Sequence, residues 1–211
     1  CVKGVLRYRH DSNWKFFVEN LNDLLHAVVA HNSSSFTARR VAKQEVGEDV
    51  VIPAIEILAP FTSGYSFFDQ ICVMTYPNGH SFSVTVKSIL AAYSDIPDYQ
   101  NAMEAAYGEE RTKEIFSTNR HNTVYYPSLT IKGAIQAIRV VRPISVNETV
   151  IETYHLRLKG APEQLLKRTI LYSNLINSSA MLVGPDDAEQ HRRMQKGLMT
   201  QANDWASMHR Y

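Results

Sequence analysis

Asn13-Trp14-Lys15-Phe16-Phe17-Val18-Glu19-Asn20-Leu21-Asn22-Asp23-Leu24-Leu25-His26-Ala27-Val28-Val29-Ala30-His31 is the most informative stretch of the chain. Trp14, Phe17, Val18, Leu21, Leu24, Leu25 and Val28 recur at spacings of three and four, which predicts an amphipathic helix, with Asp11 or Ser12 as its N-cap and Asn32-Ser33-Ser34-Ser35 as its end. Asn20, Asp23, His26 and His31 stand out on this mostly apolar background. At about 100° per residue, Asp23 and His26 lie roughly 60° apart and share a face, whereas His26 and His31 lie roughly 140° apart. Both imidazoles therefore meet one ion only where the helix loosens or ends between them. The residues between the two histidines are small or apolar and would keep such a site dry. The pair alone has two readings, because 8 His in 211 residues give about 0.3 such pairs by chance at any fixed spacing. It is either a pair of metal ligands or two packed histidines bonding backbone carbonyls.

Outward from this segment the pattern is mixed. Residues 1–12 alternate Val2, Val5, Leu6 and Tyr8 with Lys3, Arg7 and Arg9 and read as an entry strand. Residues 36–59 read as a polar excursion leading into a strand or buried segment near Val50-Val51-Ile52. Ser66-Phe67-Phe68 and residues 71–76 look strand-like, and Pro77-Asn78-Gly79 turns into a further strand over 81–89. A helical excursion is predicted over 97–116, and strands over 123–127, 129–131, 134–141 and 149–158, with the last turn at 143–148. Pro162 opens a long C-terminal helix through Ile176, and a second helix runs from about Asp186 to Gln201. The fold class is α+β: an antiparallel sheet closed by helices on one side.

The composition is that of one globular domain: 211 residues, formal charge +1, 20% charged and 45% hydrophobic. So balanced a charge, without basic clusters, argues against nucleic acid as a partner. No apolar run approaches the roughly 18 residues that span a bilayer, so no membrane partner is expected. Cys1 and Cys72 are too few for a disulfide scaffold, and neither is followed by a histidine at Cys-x-His or Cys-x2-His spacing. They point to a reducing compartment, and a cytoplasmic location is expected. The opening Cys1-Val2-Lys3-Gly4, in place of Met, leads us to expect a piece of a longer polypeptide.

The joint pattern Asn20-x2-Asp23-x2-His26-x4-His31, preceded by Asn13-Trp14-Lys15, resembles the metal-binding helix in the catalytic domain of Rieske-type non-haem iron ring-hydroxylating oxygenases, in their large (alpha) subunits. Ile138-Arg139-Val140-Val141-Arg142-Pro143 with Asn147-Glu148-Thr149 is similar to a strand–turn–strand late in that domain, and Gly160-Ala161-Pro162-Glu163 to the entry of its long C-terminal helix. Residues 34–119 carry no matching motif.

The resemblance implies a helix-grip (START/Bet v 1-like) fold, a curved antiparallel sheet wrapping a long C-terminal helix, filling residues 1–211 as one catalytic domain without the N-terminal Rieske domain. It implies mononuclear Fe(II) on His26, His31 and an acid in Gly184-Pro185-Asp186-Asp187-Ala188-Glu189, where Asp187 is the match. By residue type alone Asp186, with Glu189 three positions on, reads as a helix N-cap and capping box. Asp23 would bond a ligand histidine on each side and carry electrons from a neighbour's [2Fe-2S] Rieske cluster, and Asn20 would lie beside the iron. A homotrimer or α3β3 assembly follows, with NAD(P)H electrons arriving through a reductase, with or without a ferredoxin. Dioxygen would hydroxylate an aromatic or similar hydrophobic substrate. Candidates for lining its cavity are Phe17, Ala27, Ala30, Val84, Val86, Tyr125 and Val140. Arg139 and Arg142 are either surface charges or partners for a carboxylated substrate. The rival reading is a metal-free module of the same fold that holds hydrophobic ligands.

Overall fold

A computed structural model describes residues 4–85, 96–117 and 119–208. Seven strands form one antiparallel sheet: β1 (Leu6–His10), β2 (Ile71–Thr75), β3 (Ser81–Thr85), β4 (Asn119–Tyr125), β5 (Leu129–Lys132), β6 (Ala137–Ser145) and β7 (Glu148–His155). Their order is β1-β7-β6-β5-β4-β3-β2. From β2 to β7 each strand pairs with the next in sequence, across short connections except between β3 and β4, while β1 completes the sheet by pairing with β7, Tyr8 opposite Ile151 and His10 opposite Thr149. The strand expected over 81–89 is seen as β3; its remainder, with Val86, lies outside the described residues.

The two faces of the sheet follow the strand period of two. Ser81 and Ser83, Asn122 and Val124, Thr130 and Lys132, Ala137, Arg139 and Val141, and Thr149, Ile151 and Thr153 are all buried. Helices cover this face. Phe17, Val18 and Leu21, from α1 (Trp14–Asn20) and the turn after it, pack on Val124, Val141 and Ile151. A second cluster joins Leu58, Ile135 and Ala137 to Tyr172, Leu175, Ile176 and Val183.

Several elements differ from expectation. The long helix over 13–31 is three pieces: α1, then a turn, then α2 (His26–Ala30), with α3 (Asn32–Val46) following directly from His31. The serine run expected to end a helix therefore begins one, and α3 replaces the polar excursion. Its apolar stripe is thin, with only Ser35 fully buried, so amphipathic periodicity gives it little signal. Val50 and Val51 are exposed and belong to no strand; the short helix α4 (Pro53–Glu56) follows them, with Pro53 in its first turn. Ser66-Phe67-Phe68 lies in a helical turn, α5 (Tyr65–Phe68), because Phe68 is buried by tertiary packing rather than by a strand partner. The excursion over 97–116 is two helices, α6 (Pro97–Tyr107) and α7 (Glu109–Ser117), separated at Gly108, whose φ of 80° breaks the helix.

The helix expected from Pro162 runs as α8 (Glu163–Tyr172), continues as a π-turn over Ser173–Asn177, and is followed by α9 (Val183–Leu198). Because α9 starts at Val183, Asp186 is inside its first turn and is not the N-cap. Glu189 pairs with Arg192 and Arg193 instead of closing a capping box. Gly184 is required by a close approach: a Cβ there would stand 2.7 Å from the Ser178 carbonyl oxygen.

Ile151 of β7 is wholly buried under α1, so Ile151→Ala should cost about 2–5 kcal/mol of stability, read as a lower urea midpoint, while Val29→Ala on the surface should cost under about 0.5 kcal/mol. Acid should also weaken the fold. His10 and His191 meet through their Nδ1 atoms at 3.4 Å, and burial pushes each imidazole down to about 4. The unfolded chain takes up protons near 6.5 where the folded chain does not, so stability is lost as pH falls from about 6.5 towards about 4. Urea unfolding across that window checks this, and His191→Gln should flatten the slope.

Candidate metal centre and its cavity

After α1 the chain turns at Leu21-Asn22, and Asp23 sets the next element. Its Oδ1 accepts from Leu25 N and His26 N, each at 3.1 Å, starting α2. Its main-chain oxygen contacts His26 Nδ1, which turns His26 Nε2 the other way, to 3.5 Å from Asp187 Oδ1. The carboxylate of Asp23 is 3.9 Å from Nδ1, so the carbonyl makes the closer contact with the ring.

His31 is the junction between α2 and α3, with φ −108° and ψ 0°. This break resolves the 140° offset, since no single regular helix carries both imidazoles to one point. His31 Nδ1 lies 3.2 Å from Asp186 Oδ2, which also accepts from Ser34 Oγ at 2.9 Å, and His31 Nε2 is 3.1 Å from Asp187 Oδ1. The two acids thus divide their work: Asp186 holds the back of His31 and Asp187 faces both Nε2 atoms. One ligand atom each from His26, His31 and Asp187 lies within 4.8 Å of the others. Asn20 Nδ2 donates to Asp187 Oδ1 at 3.4 Å and stands 3.1 Å from His26 Nε2.

Charge in this cluster is strongly coupled. Burial would lower the His26 imidazole, but hydrogen bonds to Asp187 and Asp23, with their charge, outweigh it and push it up to about 9. Burial would raise the Asp187 carboxyl, yet His26 and His31 hold it well below the usual carboxylate range. A part-buried carboxylate so stabilised by two imidazoles is a donor set suited to a cation. Two imidazole nitrogens and one carboxylate on one side, each imidazole anchored through its other nitrogen, fit a divalent transition metal and match the facial arrangement of non-haem Fe(II) sites.

The triad closes one end of a cavity of about 110 Å³. Phe17, Ala27 and Phe61 give it apolar wall; Tyr8, Asn122, Lys132 and Arg139 reach it from the sheet. Of the sequence candidates, Asn20, Asp23, His26, His31 and Asp187 come together here, and Phe17 and Ala27 line the same space. Ala30, Val84, Tyr125 and Val140 do not. Val140 alternates with the inward Arg139 and Val141, Val84 follows the inward Ser83, and Tyr125 is 49% exposed. Arg139 is buried against the cavity, whereas Arg142 lies outside and binds Glu152. Tyr8, His10, Asn122, Lys132 and Tyr172 were missed as lining residues; the signal for the first four was strand parity with the buried apolar positions Val124, Val141 and Ile151, while Tyr172 ends α8 on its buried face.

The protein is similar to known chains along nearly its whole length. It is 26% identical over 203 residues to toluate 1,2-dioxygenase subunit alpha of Pseudomonas putida, covering 93% of this chain and 41% of that one. It is 27% identical to the 2-halobenzoate 1,2-dioxygenase large subunit of Burkholderia cepacia, covering 99% and 43%. The chain thus spans about two fifths of the length of these curated relatives. Among solved structures, naphthalene 1,2-dioxygenase with indole bound in the active site superposes with a TM-score of 0.61 at 19% identity, covering 96% of this chain and 43% of that one, and shares the mixed helix and antiparallel-sheet fold. Residues 3–209 match the family model described as the ring hydroxylating alpha subunit (catalytic domain), and the chain belongs to that family.

Proposed function

We propose that residues 1–211 form one non-haem iron domain of helix-grip type that hydroxylates an aromatic or similar hydrophobic substrate, using electrons from a Rieske cluster outside these residues. The convergence of His26 Nε2, His31 Nε2 and Asp187 Oδ1 carries this reading. Fe(II) held there supplies the redox chemistry by which dioxygen is activated.

The chain's own residues do the rest. The Asp23 carbonyl and Asp186 fix the outer nitrogens of the two imidazoles, so both Nε2 atoms keep their lone pairs for the metal. Asp187 contributes the one negative charge. Phe17 and Ala27 present apolar surface beside the triad, excluding water and seating a hydrophobic ring. Asp23, half-buried on the outer side of His26, is the point of electron entry from a neighbour's cluster, which accords with a homotrimer or α3β3 assembly fed by NAD(P)H through a reductase, with or without a ferredoxin. No helix among the described residues is long and apolar enough to cross a membrane. A cytoplasmic location accords with the cysteine-poor sequence, which has only Cys1 and Cys72.

Anaerobic titration should find about one Fe(II) per chain, with His26→Ala and Asp187→Ala abolishing binding and Asp186→Asn weakening it by about 10–100-fold, since Asp186 only orients His31. Ligand binding that persists unchanged and metal-free in the wild type and these variants would favour a hydrophobic-ligand module instead. An oxygen electrode gives the second test. With reductase, NAD(P)H and an aromatic substrate, the Fe(II)-loaded chain alone should show no sustained oxygen uptake coupled to product; sustained coupled turnover would refute the external electron source.

A further inference from the structure

The inner face of the sheet carries two cations that the metal centre does not use. Lys132 on β5 and Arg139 on β6 are 5% and 4% exposed, and both line the cavity. Arg139 is fixed by neutral partners: Nε donates to Thr130 Oγ1 at 3.0 Å and Nη2 to Asn122 Oδ1 at 2.9 Å, with the guanidinium 5.4 Å from the Phe17 ring centre. Lys132 has less. Its Nζ stands 4.7 Å from the Tyr172 ring centre, and among the described residues neither cation makes an ion pair.

A buried cation without an anion is costly, and a chain with no use for one replaces it with an apolar side chain. Two of them facing one small space need a counter-charge. Asp187 is the carboxylate whose charge reaches both, but it is committed to His26 and His31, and a divalent cation on the triad would take up its charge entirely. The cavity would then be net positive, with apolar walls from Phe17 and Ala27, and the contact seen for the Lys132 ammonium among the described residues is the Tyr172 ring. Burial, followed by the Arg139 charge, pushes the Lys132 ammonium well below the ordinary lysine range, so an anion beside it relieves the strained form.

We propose that Lys132 determines specificity by pairing with an anionic ring substituent, with Arg139 as a fixed second cation, so that this cavity takes an aromatic carboxylate in preference to a neutral hydrocarbon. The proposal rests on reading the cavity as the substrate site of an iron oxygenase. Arg139 positions charge through Thr130 and Asn122, while Lys132, free of such bonds, makes the contact.

Equilibrium binding to the Fe(II)-loaded chain, by calorimetry, tests it with benzoate and its neutral near-isostere benzamide. Benzoate should bind at least about tenfold more tightly, as a charge-assisted contact in a dry site requires. Lys132→Met, similar in length and free of the buried charge, should erase that preference by lowering benzoate affinity at least about tenfold more than benzamide affinity, and Arg142→Gln on the outer face should change neither. Equal affinities in the wild-type chain, which need no variant to fold, would overturn the proposal, as would a full preference in a folded Lys132→Met. The iron titration separates the two readings. One bound Fe(II) without a benzoate preference defeats the carboxylate proposal alone; a Lys132-dependent preference in a chain that binds no Fe(II) defeats the oxygenase reading alone.

Discussion

One carboxylate, set between two imidazoles, organises the molecule. Asp187 Oδ1 lies 3.1 Å from His31 Nε2 and 3.5 Å from His26 Nε2, and a charge partly withdrawn from water is held by partners that compensate it. Those partners come from the other end of the chain. To deliver them, the N-terminal helical segment breaks twice, before His26 and at His31, and α9 begins early enough to carry Asp186 in its first turn and Asp187 directly after it. Gly184 allows that first turn to press against the Ser178 carbonyl, which no side chain would permit.

The sheet supplies the opposite wall, and its polarity is unusual for an interior. An antiparallel sheet covered on one face normally buries apolar residues there. Here Thr130, Lys132, Asn122 and Arg139 share the covered face with Val124 and Val141. The apolar members lie under α1 and carry the packing; Asn122, Lys132 and Arg139 face the cavity, and Thr130 holds Arg139 in place. Core and site are therefore one continuous surface divided by strand position.

How much of this was legible in the sequence depends on distance along the chain. The Asn20–His31 pattern is local, so its residue types and spacing were readable, and the acidic pair at 186–187 could be joined to it through the family resemblance. The strands from β4 to β7 were readable from their β-branched content. The break at Leu21 was not, because the apolar period runs through it without a Gly or Pro to mark a stop, whereas the one at His31 is what the roughly 140° offset of the two imidazoles demands. Helix α3 escaped notice for the opposite reason, being polar on nearly every side. Val84, Tyr125 and Val140 were placed on the right strands but on the wrong parity, and one residue of phase exchanges the inner face for the outer.

The pairing of β1 with β7 has a consequence for how such a chain comes into being. The Arg7–Glu152 contact joins residues 145 apart, so the first strand has no partner until the last has been made. Closing so long a loop is entropically slow, and the fold is rich in non-local pairing. During synthesis His26 and His31 leave the ribosome well before Asp187, so β1 stands as an unpaired edge while the carboxylate is still unmade. An ion that needs all three groups would bind only after β1 and β7 had met, and would then report completed folding rather than seed it.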